Sequence, residues 1–399
     1  MIFNTYAFAL FAAVFFPGYW LIRSPGLRAW WLLGGCAVFH GHFAGPAGVL
    51  PIAALALLTY VCALSRLRAL CYAAIAACIA ALIFYKYTHF LSRELLANLA
   101  PGLSAQATTL SASWLPDAPP LALSFFTFEF VHYLVDVAGG GAPIRSPKTF
   151  ALFTIYFPSL VAGPIKRYQD FTAALPRALA GVELTEVAAG AQRVALGFFK
   201  KILLADNLTV ALAFYEKDFS NLTAPEAWLF LAALSARILL DFSGYTDIAL
   251  GLSQMLGLRL PENFNYPYAA TGLRDFWARW HISLSSWIRD YVYIPLGGNR
   301  YGPLRRCSNL IIAFALCGLW HGGAGHFMLW GLWHGVGLVV QATYRQALGS
   351  LGARLGDVLA RFAVLSWLLT LVFVAFGWLL FFYPAAQAWA MAIKLLSFR

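Results

Sequence analysis

A chain of 399 residues of which 61% are hydrophobic and only 11% charged, with a mean hydropathy of +0.70, is not a soluble domain, where about one residue in four is charged. It reads as an all-α polytopic integral membrane protein. The formal charge of +11 does not signal nucleic acid, because the basic residues are scattered through short loops between apolar runs, the pattern of topology signals and of contact with anionic headgroups. Cys36, Cys62, Cys71, Cys78, Cys307 and Cys317 stand mostly inside apolar runs and form no CxxC pair, so neither a disulfide frame nor a thiolate metal site is expected.

Residues 2–22 carry no basic n-region and no clear cleavage pattern and are read as a first spanning helix, not a removable signal. Arg23 and Arg28 follow at once, which puts them in the cytoplasm and the N-terminus outside. Residues 29–43 return outward past His40 and His42, an HxH pair whose lack of acidic or thiol neighbours makes it a poor metal site. Residues 46–64 cross back to Arg66 and Arg68, residues 70–90 lead outward again, and the less hydrophobic 92–120 are assigned to an external loop with some helix.

In residues 121–137, Glu129, His132 and Asp136 are spaced to share one helix face, a polar stripe that is either a cavity wall or a buried structural network. Residues 150–165, interrupted by Pro158, Gly163 and Pro164 and flanked by Arg145, Lys148, Lys166 and Arg167, predict a re-entrant segment, because irregular backbone at membrane depth needs protein around it. Residues 186–208 mix Gln192, Arg193, Lys200, Lys201 and Asp206 with apolar side chains, as an amphipathic helix on the cytoplasmic face does. Residues 227–256 span again, with Arg237 and Asp241 set for an i, i+4 pair.

After a basic loop with Arg300, Arg305 and Arg306, residues 310–320, 326–344 and 363–382 complete the spans, and a partial or interfacial helix follows Pro384. At about 20 apolar residues per crossing the count is about ten spans plus at least one re-entrant piece. No repeat of 20–50 residues is visible. The chain is taken as one membrane domain, with N-terminal spans in 1–120, a core in 121–335 and C-terminal spans in 336–399.

The chemistry concentrates in residues 263–335. Arg274, Asp275, Arg279, His281, Arg289 and Asp290 alternate there with Phe276, Trp277, Trp280, Trp287, Tyr291 and Tyr293. Such a block is too polar for lipid and too aromatic for a solvated loop. Charges kept at membrane depth face a protein interior or a watery cavity; the competing reading is an interfacial aromatic anchor. Asp275 and Arg279 stand at i, i+4 and can pair. There is no GxSxG elbow, Walker loop, GxGxxG after a strand, or HExxH.

What remains is histidine: His281 in RWHISLSSW, and His321, His326 and His334 in LWHGGAGHFMLWGLWHG. Gly322 and Gly323 leave room for a bulky group to approach the His321 ring. A neutral imidazole takes a proton from a hydroxyl at physiological pH, and a hydroxyl that attacks a thioester directly needs no covalent enzyme intermediate. The alternative is a histidine that ties two helices by a hydrogen bond. Three histidines in this run raise the idea of a metal, but no carboxylate accompanies them and none is expected.

RDFWARWHISLSSWIRDYVYIPLGGN followed by GLWHGGAGHFMLWGLWHG strongly resembles the membrane-bound O-acyltransferase family, in its bacterial branch that acylates alginate and teichoic acid. ALSFFTFEFVHYLVDV, YFPSLVAGPIKRYQDF and DFSGYTDIALGLSQMLGLRLPENFNYPY are similar to further blocks of that branch, so the likeness runs over residues 121–335. The resemblance implies that His321 is the catalytic histidine and that His281, where eukaryotic members often carry asparagine, is the second active-site residue. It implies a ring of helices around a central tunnel in which a cytoplasmic acyl donor meets an acceptor from the other side. On that reading Arg274, Asp275, Trp277, Arg279, Trp280, Arg289, Asp290 and Trp320 are substrate-binding or tunnel residues.

The implied activity is O-acetyl transfer in the bacterial inner membrane, from a thioester such as acetyl-CoA or an acyl carrier and with no bound cofactor, towards an extracellular or periplasmic polysaccharide. Transfer of D-alanyl or another acyl group to a cell-envelope polymer is the alternative. The implied partners are a periplasmic acetyl-accepting or acetyltransferase protein, the polysaccharide, membrane lipids and an acidic acyl carrier. Lys166, Arg167, Lys200, Lys201, Arg305 and Arg306 can attract CoA phosphates or such a carrier, and they are equally ordinary topology signals. A non-enzymatic transporter or channel calls for inverted repeats, which the sequence does not display.

Overall fold

The computed structural model describes residues 2–114 and 119–397, so residues 115–118 of the expected external segment lie outside them. Among the described residues the regular structure is helical, and the strand-like pairing is one isolated antiparallel bridge between Phe264 and Trp280. The chain divides into two compact units, Met1–Phe198 with Gly244–Pro261, and Phe199–Ser243 with Glu262–Arg399.

In the first unit, α1 (Tyr6–Leu21) starts at Thr5, whose hydroxyl accepts from the Phe8 N–H at 3.2 Å and satisfies one of the free donors of the first turn. The two spans expected over 29–43 and 46–64 are the two helical stretches of α2 (Pro25–Ser65), which break where Gly45 takes φ 64° and ψ 172° just before Pro46. Glycine enters that left-handed backbone without a Cβ clash, and the proline that follows has no N–H to lose. α3 (Arg68–Leu82) continues through π-helical turns to Leu95.

α4 (Leu123–Ala138) carries the polar stripe, and the structure decides between its two readings: it is a network. The Glu129 carboxylate meets the Lys166 ammonium with both side chains buried. Asp136 accepts from Gln169 Nε2 at 2.7 Å, and His132 Nδ1 lies 3.0 Å from the Phe128 carbonyl oxygen. The expected re-entrant piece is α5 (Pro147–Thr154), capped by Ser146, followed by a short 3-10 turn at Phe157–Ser159. Tyr156, Phe157 and Leu160 are buried, so the irregular backbone is enclosed by protein, as its peptide groups require. α6 (Tyr168–Ala180) and α7 (Leu184–Phe198) follow.

The long helix α8 (Ala224–Gln254) contributes residues to both units. The pair expected between Arg237 and Asp241 does not form. Asp241 instead meets Lys201 at 2.6 Å, and Lys201 also meets Asp206. Arg237 donates to Thr209 Oγ1 at 2.9 Å and lies 4.9 Å over the Phe382 ring. A planar guanidinium can stack on an aromatic face, and the Lys201 ammonium takes Asp206 and Asp241 together, so tertiary neighbours override the i, i+4 spacing.

The second unit also contains a π-helical stretch Phe199–Asp206 and a helix Asn207–Glu216, and after residue 262 it includes α9 (Leu273–Arg279), α10 (Ile282–Ile288), α11 (Gly302–His321), α12 (Gly325–Ala347), α13 (Gly349–Arg361), α14 (Ala363–Phe382) and α15 (Ala385–Leu396). The expected spans 310–320 and 326–344 correspond to α11 and α12, and residues 363–382 to α14. α13 was not foreseen. Among the described residues four helices are long and apolar enough to cross a bilayer: Pro25–Ser65, Arg68–Leu95, Ala224–Gln254 and Ala363–Phe382.

Candidate active site

Trp280 and His281 interrupt what would otherwise be one helix running from α9 into α10. Trp280 is extended, at φ −101° and ψ 127°. His281 takes φ 43° and ψ 54°, a left-handed conformation that costs a residue with a Cβ about 1–2 kcal/mol. A segment on the far side holds the break. Asn265 N–H donates to Arg279 O and Ile282 N–H to Asn263 O, each at 3.0 Å, and the Asn263 side-chain oxygen accepts from Ser283 Oγ at 2.6 Å. Backbone outliers maintained in this way gather at functional sites.

The break sets the His281 ring against the edge of Phe242, with centroids 4.6 Å apart at 89°. The ring is 1% exposed, and neither of its nitrogens has a hydrogen-bond partner among the described residues. Burial holds the imidazole well below the usual histidine range, and neighbouring His321 pushes it the same way. His281 is therefore neutral at physiological pH, able to donate from one nitrogen and accept at the other.

His321 is the last residue of α11, with its ring 6.4 Å from that of His281. Trp320 packs on both, at 4.8 Å from His321 and 6.0 Å from His281. Trp330 and Phe381 close the other sides of His321, at 5.1 and 5.2 Å. His321 itself is only half-buried, so of the two rings it is the one a substrate can reach.

The placement of His321 depends on how α11 crosses α12. A methyl on Gly331 would collide with Phe314 O and lie 3.1 Å from Gly318 Cα, and a methyl on Gly318 would collide with Phe327 O. The two backbones thus touch one turn before His321, a close approach that small residues permit between helices in lipid.

Beside the two rings the same aromatic shell holds a third histidine. His334 is fully buried, with ring contacts at 5.1 Å to both Trp277 and Trp330, and it stacks on Phe276. Trp280 stacks on Phe276 as well and touches Trp378. His326 turns away, its Nδ1 3.1 Å from Leu380 O.

Of the residues singled out in the sequence, the fold brings His281, His321 and Trp320 together and puts Trp277 and Trp280 in the surrounding aromatic shell. Asp275 and Arg279 pair at 2.7 Å, as their spacing predicts, and Arg289 pairs with Asp290 at 2.8 Å. Arg274 and Arg289 are exposed, and Gln341 accepts from the Arg274 backbone N–H. Phe242, Trp330, Phe381 and Asn263 escaped the sequence reading. Trp330, four residues before His334, carried a helical-spacing signal, but Phe242 and Phe381 come from distant helices and carried none.

Fold and site together define an integral membrane protein with two histidine rings in an aromatic cage. The family model of the membrane-bound O-acyltransferases matches residues 58–385, and the chain belongs to that family. It is 35% identical over 394 residues to the probable alginate O-acetylase AlgI of Pseudomonas aeruginosa, covering 95% of this chain and 69% of that protein. It is 34% identical over 288 residues to the peptidoglycan O-acetyltransferase of Helicobacter pylori, covering 66% of this chain and 54% of that protein. Against the teichoic acid D-alanyltransferase of Bacillus subtilis the identity is 31% over 236 residues, 54% of this chain and 58% of that protein. The chain thus spans little more than half the length of the last two.

Proposed function

We propose that this chain is an O-acetyltransferase of the bacterial inner membrane, working as a single membrane domain that passes acetyl from a cytoplasmic thioester, acetyl-CoA or a carrier-bound group, towards an envelope polysaccharide of the alginate type. In this reading His321 takes the proton from an acceptor hydroxyl as its oxygen attacks the thioester carbonyl carbon. The C–S bond then breaks, the thiolate takes the proton back from the imidazolium, and an ester and a thiol leave. His281, neutral and enclosed, orients the reacting oxygen by a hydrogen bond.

The observation that carries the reading is the separation of the two rings, 6.4 Å between centres. That leaves room for one oxygen at about 2.8 Å from a nitrogen of each. The relative that handles D-alanyl groups supports a second reading, in which the same pair transfers D-alanine.

The test is mass spectrometry of envelope polymers from cells that carry either the wild-type chain or His321→Ala at equal membrane level. Loss of acetyl ester in the variant is expected. Loss of alanyl ester alone would favour the second reading, and unchanged esters would remove His321 as the base. The periplasmic N-terminus is a separate proposal: thiol labelling of Arg23→Cys should need a membrane-permeant reagent, and labelling from outside would reverse the orientation.

A further inference from the structure

Away from the histidines, α12, α13 and α14 surround a cavity of about 690 Å³. Val340, Leu355, Leu359 and Phe373 make its sides apolar, and it reaches down to Trp333, whose indole stacks on Phe373 at 4.5 Å and donates to the Phe373 carbonyl. Sides of this kind suit an aliphatic chain.

Its polar residues include Tyr344 and Arg345, near the end of α12. The arginine is seated there. Gly356 has no side chain, and a Cβ at that position would lie 2.6 Å from Arg345 Cζ, so the guanidinium rests on the backbone of α13. The Tyr344 hydroxyl accepts from Arg345 Nε at 3.2 Å. A second guanidinium is close by, since Arg306 donates to Ala342 O at 3.1 Å, one helical turn before Arg345.

α13 itself brings Arg354 and Arg361 against a single acid, Asp357. It turns Gly352 and Gly356 inward and leaves Leu351 and Val358, which do not line the cavity, exposed. Basic residues beside outward apolar side chains mark a helix that lies in the headgroup layer, where anionic lipids collect.

An apolar slot with a seated guanidinium on its lining matches an acyl chain below a phosphate. We infer that this cavity holds one acyl chain of an anionic phospholipid, with the phosphate on Arg345 and the tail running along α12 towards Trp333. Charge complementarity sets the choice of an anionic over a zwitterionic lipid, because a guanidinium binds a phosphate through charge-assisted hydrogen bonds and, with Arg354 and Arg361 of α13, the basic residues of this part of the chain outnumber Asp357.

The test uses the full chain in detergent, titrated with phosphatidylglycerol or phosphatidylcholine and read by native mass spectrometry. One tightly held phosphatidylglycerol per chain is expected. Arg345→Gln should weaken it about tenfold while leaving phosphatidylcholine unchanged, and Ala360→Trp, at an exposed position lining the slot, should abolish retention of both. Wild-type retention in both variants would overturn the proposal. So would displacement of the lipid by coenzyme A, which would make the slot part of the donor's route. Neither result bears on whether His321 acts as a base.

Discussion

In the first unit, the buried charges of Glu129 and Lys166 meet each other, with the ammonium also 5.0 Å from the face of Phe153. In the second, the buried rings of His281 and His334 meet aromatic neighbours and find no hydrogen-bond partner for any of their nitrogens among the described residues. Arg28, in the first unit, spends its donors on the Tyr19 and Leu179 carbonyls. Groups closed on one another hold helices together in a medium that offers no water, whereas hydrogen-bonding capacity kept open in an aromatic cage remains available to something that arrives.

This contrast breaks most sharply at two substitutions. His321→Ala should lower acyl transfer by about 10²- to 10⁴-fold, the range of a lost general base, while thermal unfolding in detergent stays as in wild type. Lys166→Met should do the reverse. It strands a buried carboxylate at a cost of about 3–5 kcal/mol, seen as a lower unfolding temperature, with activity per folded molecule preserved. Adding Glu129→Leu should recover most of that loss, because an apolar pair of similar size replaces a buried ion pair at little net cost.

Smaller effects sharpen the comparison within the second unit. Gly331→Ala pushes α12 off α11 and shifts the ring one turn beyond the crossing; a displacement of about 1 Å can reduce turnover about 100-fold, with the apparent affinity for donor unchanged. His281→Ala should cost more activity than His281→Asn, because asparagine keeps a hydrogen-bonding group and accepts the left-handed backbone better than other residues with a Cβ. Equal loss in the two would reduce His281 to a packing residue. The smallest change is expected at the partly exposed pair of α9, where Asp275→Asn should cost only about 0.3–0.5 kcal/mol of stability.

Much of the fold was readable because lipid forces the backbone into helices and the apolar runs mark them. The WH motifs and the i, i+4 pair of Asp275 and Arg279 were equally local signals. Two features were not local. The partner of Asp241 is Lys201, forty positions earlier, and no spacing rule contains it. The cage draws Phe242 to His281 and Phe381 to His321 from helices far apart in the chain, where a phenylalanine reads as one more apolar residue. α13 went unseen because thirteen residues rich in glycine and arginine are too short and too polar to register as a span.

α11 runs 20 residues, with Arg305 and Arg306 in its first turns and His321 as its final residue. At 1.5 Å per residue the stretch from Arg305 to His321 is about 24 Å long. A push on the basic end of this rod therefore reaches the imidazole only as a movement of the whole helix.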